Sequence, residues 1–311
     1  MNATTRPMPP AEGTVGAFPG IAIDDYHADH SAISKSALDD FARSPFRYWS
    51  NRFDPNKPAE SDKETLARLR GNMLHCALLE PDEFQKRYIM LPADAPRRPS
   101  ITQRNAKNPS PDTIKAIDWW DRFEMDNAGK KMVDADQYDA AWRQAGSLRK
   151  IKAIADLMGQ GQAEVSEYFI DPITKLWCKI RPDWVRPYDS GDVLLDAKTV
   201  GDARPSEFAR QVAYQRYHVQ DAHYSAGHTL ATGRPVLEFM FAIVEPEWPY
   251  VANIVMLDEA TKAEGRKVAR RDLNGIFRHQ QTGLWQNTGD NVELVSLPGW
   301  AFTPDEEATN G

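Results

Sequence analysis

Two cysteines in 311 residues exclude a disulfide-built scaffold and a four-thiolate metal or iron–sulfur centre. Cys76 and Cys178 read most simply as reduced, buried thiols. No apolar run is long enough to cross a bilayer and no leader pattern is visible, so a soluble, cytoplasmic protein is expected. The Gly-x-x-x-x-Gly-Lys-[Ser/Thr] phosphate loop is missing, which leaves no ATP-driven motor within the chain. No repeat of fixed period occurs. An excess of positive charge is lacking as well: 38 Lys and Arg against 45 Asp and Glu give a formal net charge of −7. That balance argues against uniform coating of nucleic acid, while leaving room for a local basic groove beside clustered carboxylates.

What is present centres on Glu164 to Lys198. Three short apolar runs separated by turn signals predict a three-strand meander, with a turn at Asp171-Pro-Ile-Thr-Lys175. Asp183 follows Pro182 near the end of the second run, and Asp196 ends Val193-Leu194-Leu195. Residues two apart on a strand share a face, so Asp196 and Lys198 look the same way. A carboxylate at the end of an apolar strand is costly unless compensated, and a divalent cation compensates two of them at once. With a lysine beside the reacting phosphate, this is a pattern for metal-assisted phosphodiester hydrolysis. Taken alone, an Asp-x-Lys strand end is more often a solvated exit.

Around this stretch, residues 1–32 read as a flexible lead and 286–311 as a tail. Residues 33–285 form one domain, helical over 33–160 with an α/β core over 161–285. Ser34 or Ser36 caps a helix that Ser44-Pro45 ends. A helix is predicted from Lys63 to Tyr88, on which Gly71 and His75 share a face. The small residue would let a backbone or a ligand approach, although taken alone a packing glycine beside a core histidine is the more common arrangement. The Pro- and Arg-rich segment from Pro92 to Pro111, with Arg97, Arg98 and Arg104, is a surface loop or a phosphate-contacting arm. Two or three helices follow to Met158. After the meander come one or two helices over Ser206 to Thr232, placing Gln220 and Tyr224 on one face. A hairpin of Leu237–Val244 and Tyr250–Met256 precedes a basic helix from Glu259 to about Gln281, with Arg266 and Arg270. A zinc site from His218, His223 and His228 is disfavoured, because steps of five do not stack on one helical face.

Four segments in this order carry a resemblance: Gly71-Asn-Met-Leu-His75-Cys-Ala-Leu-Leu-Glu-Pro81, Ile180-Arg-Pro-Asp183, Leu195-Asp196-Ala-Lys198-Thr and Gln220-Asp-Ala-His-Tyr224. Together with Ile33-Ser-Lys-Ser-Ala-Leu they resemble the RecE-like exonucleases of phages and prophages, in the RecB-like branch of the PD-(D/E)xK nuclease superfamily. The resemblance implies an α/β restriction-endonuclease-like core, a mixed central β-sheet flanked by helices, with N-terminal helical additions. It implies His75, Asp183, Asp196 and the carbonyl of Ala197 as metal ligands and Lys198 as the catalytic lysine. Gln220 would hydrogen-bond near the scissile phosphate or the lysine, and Tyr224 would position that helix. Glu164 or Glu167 would lie near the site without an assigned role. DNA contacts would come from Arg97, Arg98, Arg104, Arg266 and Arg270.

The same resemblance implies a Mg2+-dependent exonuclease, with Mn2+ able to substitute and with neither an iron–sulfur cluster nor ATP. It would degrade linear double-stranded DNA 5′→3′ and expose 3′ strands for recombination by annealing. Expected partners are DNA ends, a RecT-like single-strand annealing protein and further copies of the chain in a homo-oligomeric ring, in the cytoplasm of a bacterial host. An endonuclease or single-strand-preferring nuclease on the same fold is the rival enzyme reading. A catalytically silent DNA-binding or assembly protein is the rival outside enzymes.

Overall fold

The computed structural model describes residues 6–58, 66–286, 292 and 294–298. Its strands are β1 (Gly16–Phe18), β2 (Tyr88–Met90), β3 (Lys131–Val133), β4 (Gln162–Ala163), β5 (Ser166–Ile170), β6 (Trp177–Ile180), β7 (Trp184–Tyr188), β8 (Gly191–Thr199), β9 (Val236–Val244) and β10 (Ala252–Met256). Its helices are α1 (Ile23–Ala28), α2 (Lys35–Arg43), α3 (Pro45–Phe53), α4 (Leu66–Leu79), α5 (Pro81–Arg87), α6 (Ile101–Arg104), α7 (Pro111–Asp126), α8 (Ala135–Arg149), α9 (Lys152–Met158), α10 (Pro205–Tyr214), α11 (Tyr217–Thr232) and α12 (Glu259–Thr282). None of these helices is long and apolar enough to cross a membrane.

The central sheet runs β10-β9-β8-β7-β4, with β8 parallel to β9 and every other pairing antiparallel. Alternation along β8 divides its side chains between two cores. Val193, Leu195 and Ala197 pack with Met73, Leu74, Ala141 and Leu148 of α4 and α8. Leu194 joins Phe208, Val212, Phe239 and Phe241 on the opposite face. Asp196 and Lys198 therefore fall on the α10/α11 side, at the end of the buried strand. A smaller sheet, β1-β5-β6, packs against α2, α11 and α12. Gly265 permits the α11–α12 approach, since a Cβ there would lie 2.1 Å from the His218 carbonyl oxygen.

The predicted meander is four strands in two sheets rather than three in one. The Asp171 turn closes β5–β6 as expected, with Thr174 N–H and Oγ1 both donating to Asp171 Oδ2. Arg181-Pro182-Asp183 then breaks the chain, because proline has no N–H to continue a ladder. β7 restarts in the central sheet. The helix predicted over 63–88 is likewise divided: Pro81 opens α5, and Tyr88 already lies in β2, while residues 63–65 fall outside the described residues. Ser34 caps α2 by accepting from Ala37 N–H, and Ser44 caps α3 ahead of Pro45.

Residues 6–32 were expected as a flexible lead, yet β1 pairs with β5. The buried Lys179 donates to the carbonyls of Tyr26 and Asp29, and Arg181 donates to that of Ile21. Long-range donors of this kind leave no local trace in sequence. Most of the predicted tail lies outside the described residues.

A buried ionic clamp joins the two sheets through α11. His228 Nδ1 is 2.9 Å from Glu167 Oε1 on β5, its Nε2 is 2.8 Å from Asp192 Oδ2 on β8, and Arg234 also binds Asp192. Burial alone would lower the His228 pKa, but Glu167 and Asp192 raise it. His228→Leu should cost about 3–5 kcal/mol by stranding the buried Glu167 carboxylate, while Asp192 keeps Arg234, read as a lower denaturant midpoint. Because the folded pKa is raised, the ionic part of that stability is complete below the unfolded value of about 6.5 and disappears as pH rises through the folded one. The gap between wild type and variant should accordingly narrow at alkaline pH.

Candidate active site

One peptide unit, Ala197, gathers the candidate ligands. Asp183 Oδ2 accepts from Ala197 N–H at 2.6 Å, and His75 Nε2 lies 3.1 Å from Ala197 O and 3.5 Å from Asp183 Oδ2. Asp196 Oδ1 accepts from Gln220 Nε2 at 2.5 Å, and its Oδ2 is 2.5 Å from Lys198 Nζ. His75 is delivered by α4, which packs under β8, and Asp183 by the break after Pro182. Gln220 comes from α11 on the other side. The structure thus brings together His75, Asp183, Asp196, Ala197, Lys198 and Gln220. Gln220 binds the Asp196 carboxylate and so fixes its orientation. Tyr224 packs edge-on against Phe239 with ring centroids 5.9 Å apart.

Tyr217 escaped the sequence reading, and Glu164, expected near the site without a role, takes a definite place in it. Tyr217, one turn before Gln220, lies beneath Lys198 with the ammonium 5.2 Å from its ring centre. Its spacing of three from Gln220 was the available signal. Glu164 sits in a left-handed conformation (φ 54°) just after β4, where its N–H donates to Asp183 O. Its Oε1 is 3.6 Å from His75 Nδ1, and Arg181 Nε donates to Oε2 at 2.7 Å. Only the β4–β7 pairing places it there. Glu167, by contrast, belongs to the His228 clamp.

The electrostatics are those of a carboxylate-rich centre. Burial first, then Asp196 and Glu164 against the opposing pull of His75, push the Asp183 carboxyl up to about 7. Burial would lower His75, yet Asp183 and Glu164 raise it to about 9. Burial likewise disfavours the Lys198 ammonium, but Asp196 and Asp183 raise its pKa well above the ordinary value. Lys198 is therefore a persistent cation rather than a base in this arrangement. Asp196 Oδ2 is buried, and the Lys198 ammonium, though close, is not aligned to donate to it. This orphaned oxygen, three carboxylates, a carbonyl and one imidazole suit a hard divalent cation such as Mg2+ or Mn2+. His75, Glu164 and Asp183 offer ligand atoms all within 4.8 Å of one another.

Such an ion must displace the His75 proton, so affinity should rise with pH up to about 9. Manganese titration calorimetry near neutral pH, in buffers of different ionisation heat, should report roughly one proton released per ion. Binding without proton release would remove His75 from the ligand set.

A cavity of about 380 Å³ lies toward the N-terminal side of α4, lined by Arg52, Lys57, Arg68 and Lys179 together with Asp40 and Asp29, which pair with Arg52 and Lys179. Arg68 is two turns before His75 on the same face of α4. Burial and then Lys179, Arg68 and Arg181 lower the pKa of His27 in this wall. Arg52 Nε is buried without a hydrogen-bond partner among the described residues. The arginines expected at DNA do not line this cavity. Arg98 pairs with Glu124, Arg104 with Asp121, and Arg270 forms a two-pronged bond with Asp171. Arg266 and Arg97 are exposed. The three α11 histidines diverge, with His218 bonding Val212 O, His223 against Phe169 and His228 in the clamp.

A mixed sheet flanked by helices, with an acid, acid, lysine cluster at the end of its buried strand, defines a restriction-endonuclease-like fold. The chain belongs to the family described as a PDDEXK-like domain of unknown function (DUF3799), whose model matches residues 34–298. No curated protein sequence matches it significantly. Among solved structures, a candidate exonuclease from Eubacterium rectale shares the fold at 14% identity and a TM-score of 0.54, over 89% of this chain and 96% of that one. An alkaline exonuclease from Laribacter hongkongensis matches 68% of this chain and 97% of its own at 12% identity, with a TM-score of 0.25.

Proposed function

We propose that this protein is a RecE-like, Mg2+-dependent exonuclease that hydrolyses linear double-stranded DNA 5′→3′. The observation that carries the reading is the convergence of Asp183, Asp196 and His75 on Ala197 with Lys198 alongside. The polarity, the RecT-like annealing partner, the ring of identical chains and the bacterial cytoplasm rest on the motif resemblance.

A divalent cation in this centre supplies positive charge to the scissile phosphate and acidifies water. The chain's own groups do the rest. Asp183 and Asp196 would hold the ion from two elements, and Gln220 keeps the Asp196 carboxylate in one orientation. Lys198, charged and seated on Tyr217, offers a point charge to the phosphate or the attacking water without accepting its proton. The cationic cavity beyond Arg68 lies where phosphates of a bound strand could rest.

Gly71 sits between that cavity and His75. Among the described residues a Cβ there would meet no atom within 4 Å, so none of them requires glycine inside this helix. Gly71→Ala should stabilise the fold by up to about 1 kcal/mol while weakening duplex binding, because the substrate backbone occupies the open space. A stabilised variant with unchanged KM for DNA would refute that approach.

The exonuclease reading is tested by offering linear and covalently closed duplex side by side. Consumption of the linear form alone supports it. Cutting of closed circles would make the protein an endonuclease, and cleavage of neither form with Mg2+ or Mn2+ would favour a silent DNA-binding protein.

A further inference from the structure

Outside the candidate active site, α7 carries a surface with no role so far. Its buried side is anchored by Trp120, whose Nε1 donates to Pro96 O at 2.9 Å. Its other side forms a groove of about 450 Å³ lined by Lys115, Asp118, Trp119, Arg122, Phe123 and Asp126. Trp119 and Phe123 stack there, with centroids 5.0 Å apart and planes within 10°. Neighbouring α7 charges are matched within the chain, Asp121 by Arg104 and Glu124 by Arg98. Lys115, Asp118, Arg122 and Asp126 make no ion pair with another described residue. They leave two positive and two negative groups around an aromatic pair.

We infer that this groove is a two-fold interface in which α7 of one chain lies antiparallel on α7 of a second copy. The evidence is the order of the charges. An antiparallel pair with its axis between Trp120 and Asp121 places Lys115 opposite Asp126 of the other copy, Trp119 opposite Arg122 and Asp118 opposite Phe123. Every lining residue thus meets another lining residue, as an isologous contact requires. The lysine gains a carboxylate, and the tryptophan face gains a guanidinium. Arg122 of the second copy also lies within reach of Asp118, the residue before Trp119. Nucleic acid is a poorer occupant, because Asp118 and Asp126 would face its phosphates. The interface is independent of the nuclease reading and of any ring contact.

Sedimentation of the purified full chain, over a roughly hundred-fold concentration range, reads the self-association directly. Wild type should form dimers or even-numbered assemblies. Lys115→Glu/Arg122→Glu and Asp118→Lys/Asp126→Lys should each weaken that step at least about ten-fold, since like charges then face each other. Mixing the two variants should restore association, because every facing charge pair is then opposite in sign. Thermal melting of each variant checks that the exposed substitutions leave the fold intact. A wild type that stays monomeric, variants that associate as wild type does, or a mixture that fails to pair would each overturn the interface.

Discussion

Asp196→Ala should lose cleavage by roughly a thousand-fold or more while leaving the fold largely intact. Asp196 is 2% exposed, with one carboxylate oxygen fixed by Gln220 and the other lacking an aligned donor. It shares its surroundings with Asp183, whose carboxyl it helps push up to about 7. Removing it deletes an ion ligand, and the relief of repulsion with Asp183 offsets the loss of the counter-charge beside Lys198. Manganese calorimetry should show the affinity falling together with the rate. Wild-type turnover in this variant would show that Asp196 has no part in catalysis.

Lys198→Ala should reduce turnover by a similar factor and yet retain the ion. Its ammonium lies beside Asp196 and above Tyr217 rather than among the His75, Asp183 and Glu164 ligand atoms. Deleting it takes a like charge away from the cation, so manganese affinity should hold or improve. Lys198→Arg should not recover the rate, because a planar fork cannot reproduce a compact point charge in that space. Loss of manganese binding in Lys198→Ala would make the lysine a structural partner of Asp196 instead.

Much of this centre was legible because its signals are local. Two-residue alternation along Val193 to Lys198 showed which side chains share a face, and helical spacing put Gly71 and His75 on one face of α4, while the place of His75 at the site came from the motif resemblance. The hairpin of β9 and β10 and the long final helix were visible for the same reason. Pro182 was read as part of a strand although its missing N–H divides two sheets. Roles that needed tertiary pairing were not legible. Glu164 reaches the site only because β4 pairs with β7, and the N-terminal segment is ordered by Lys179 and Arg181 from more than a hundred residues away. The net charge did not reveal the basic cavity either, since its cations come from α3, α4 and β6 and meet only in the fold.

Incubating the full chain with end-labelled linear duplex, in Mg2+ and in EDTA, beside Asp196→Ala, tests the account most directly. The duplex should shorten from its ends in Mg2+ alone, with the label position giving the polarity, and the variant should leave it intact. Degradation that persists in EDTA, or that Asp196→Ala leaves unchanged, would contradict ion-dependent hydrolysis at this centre.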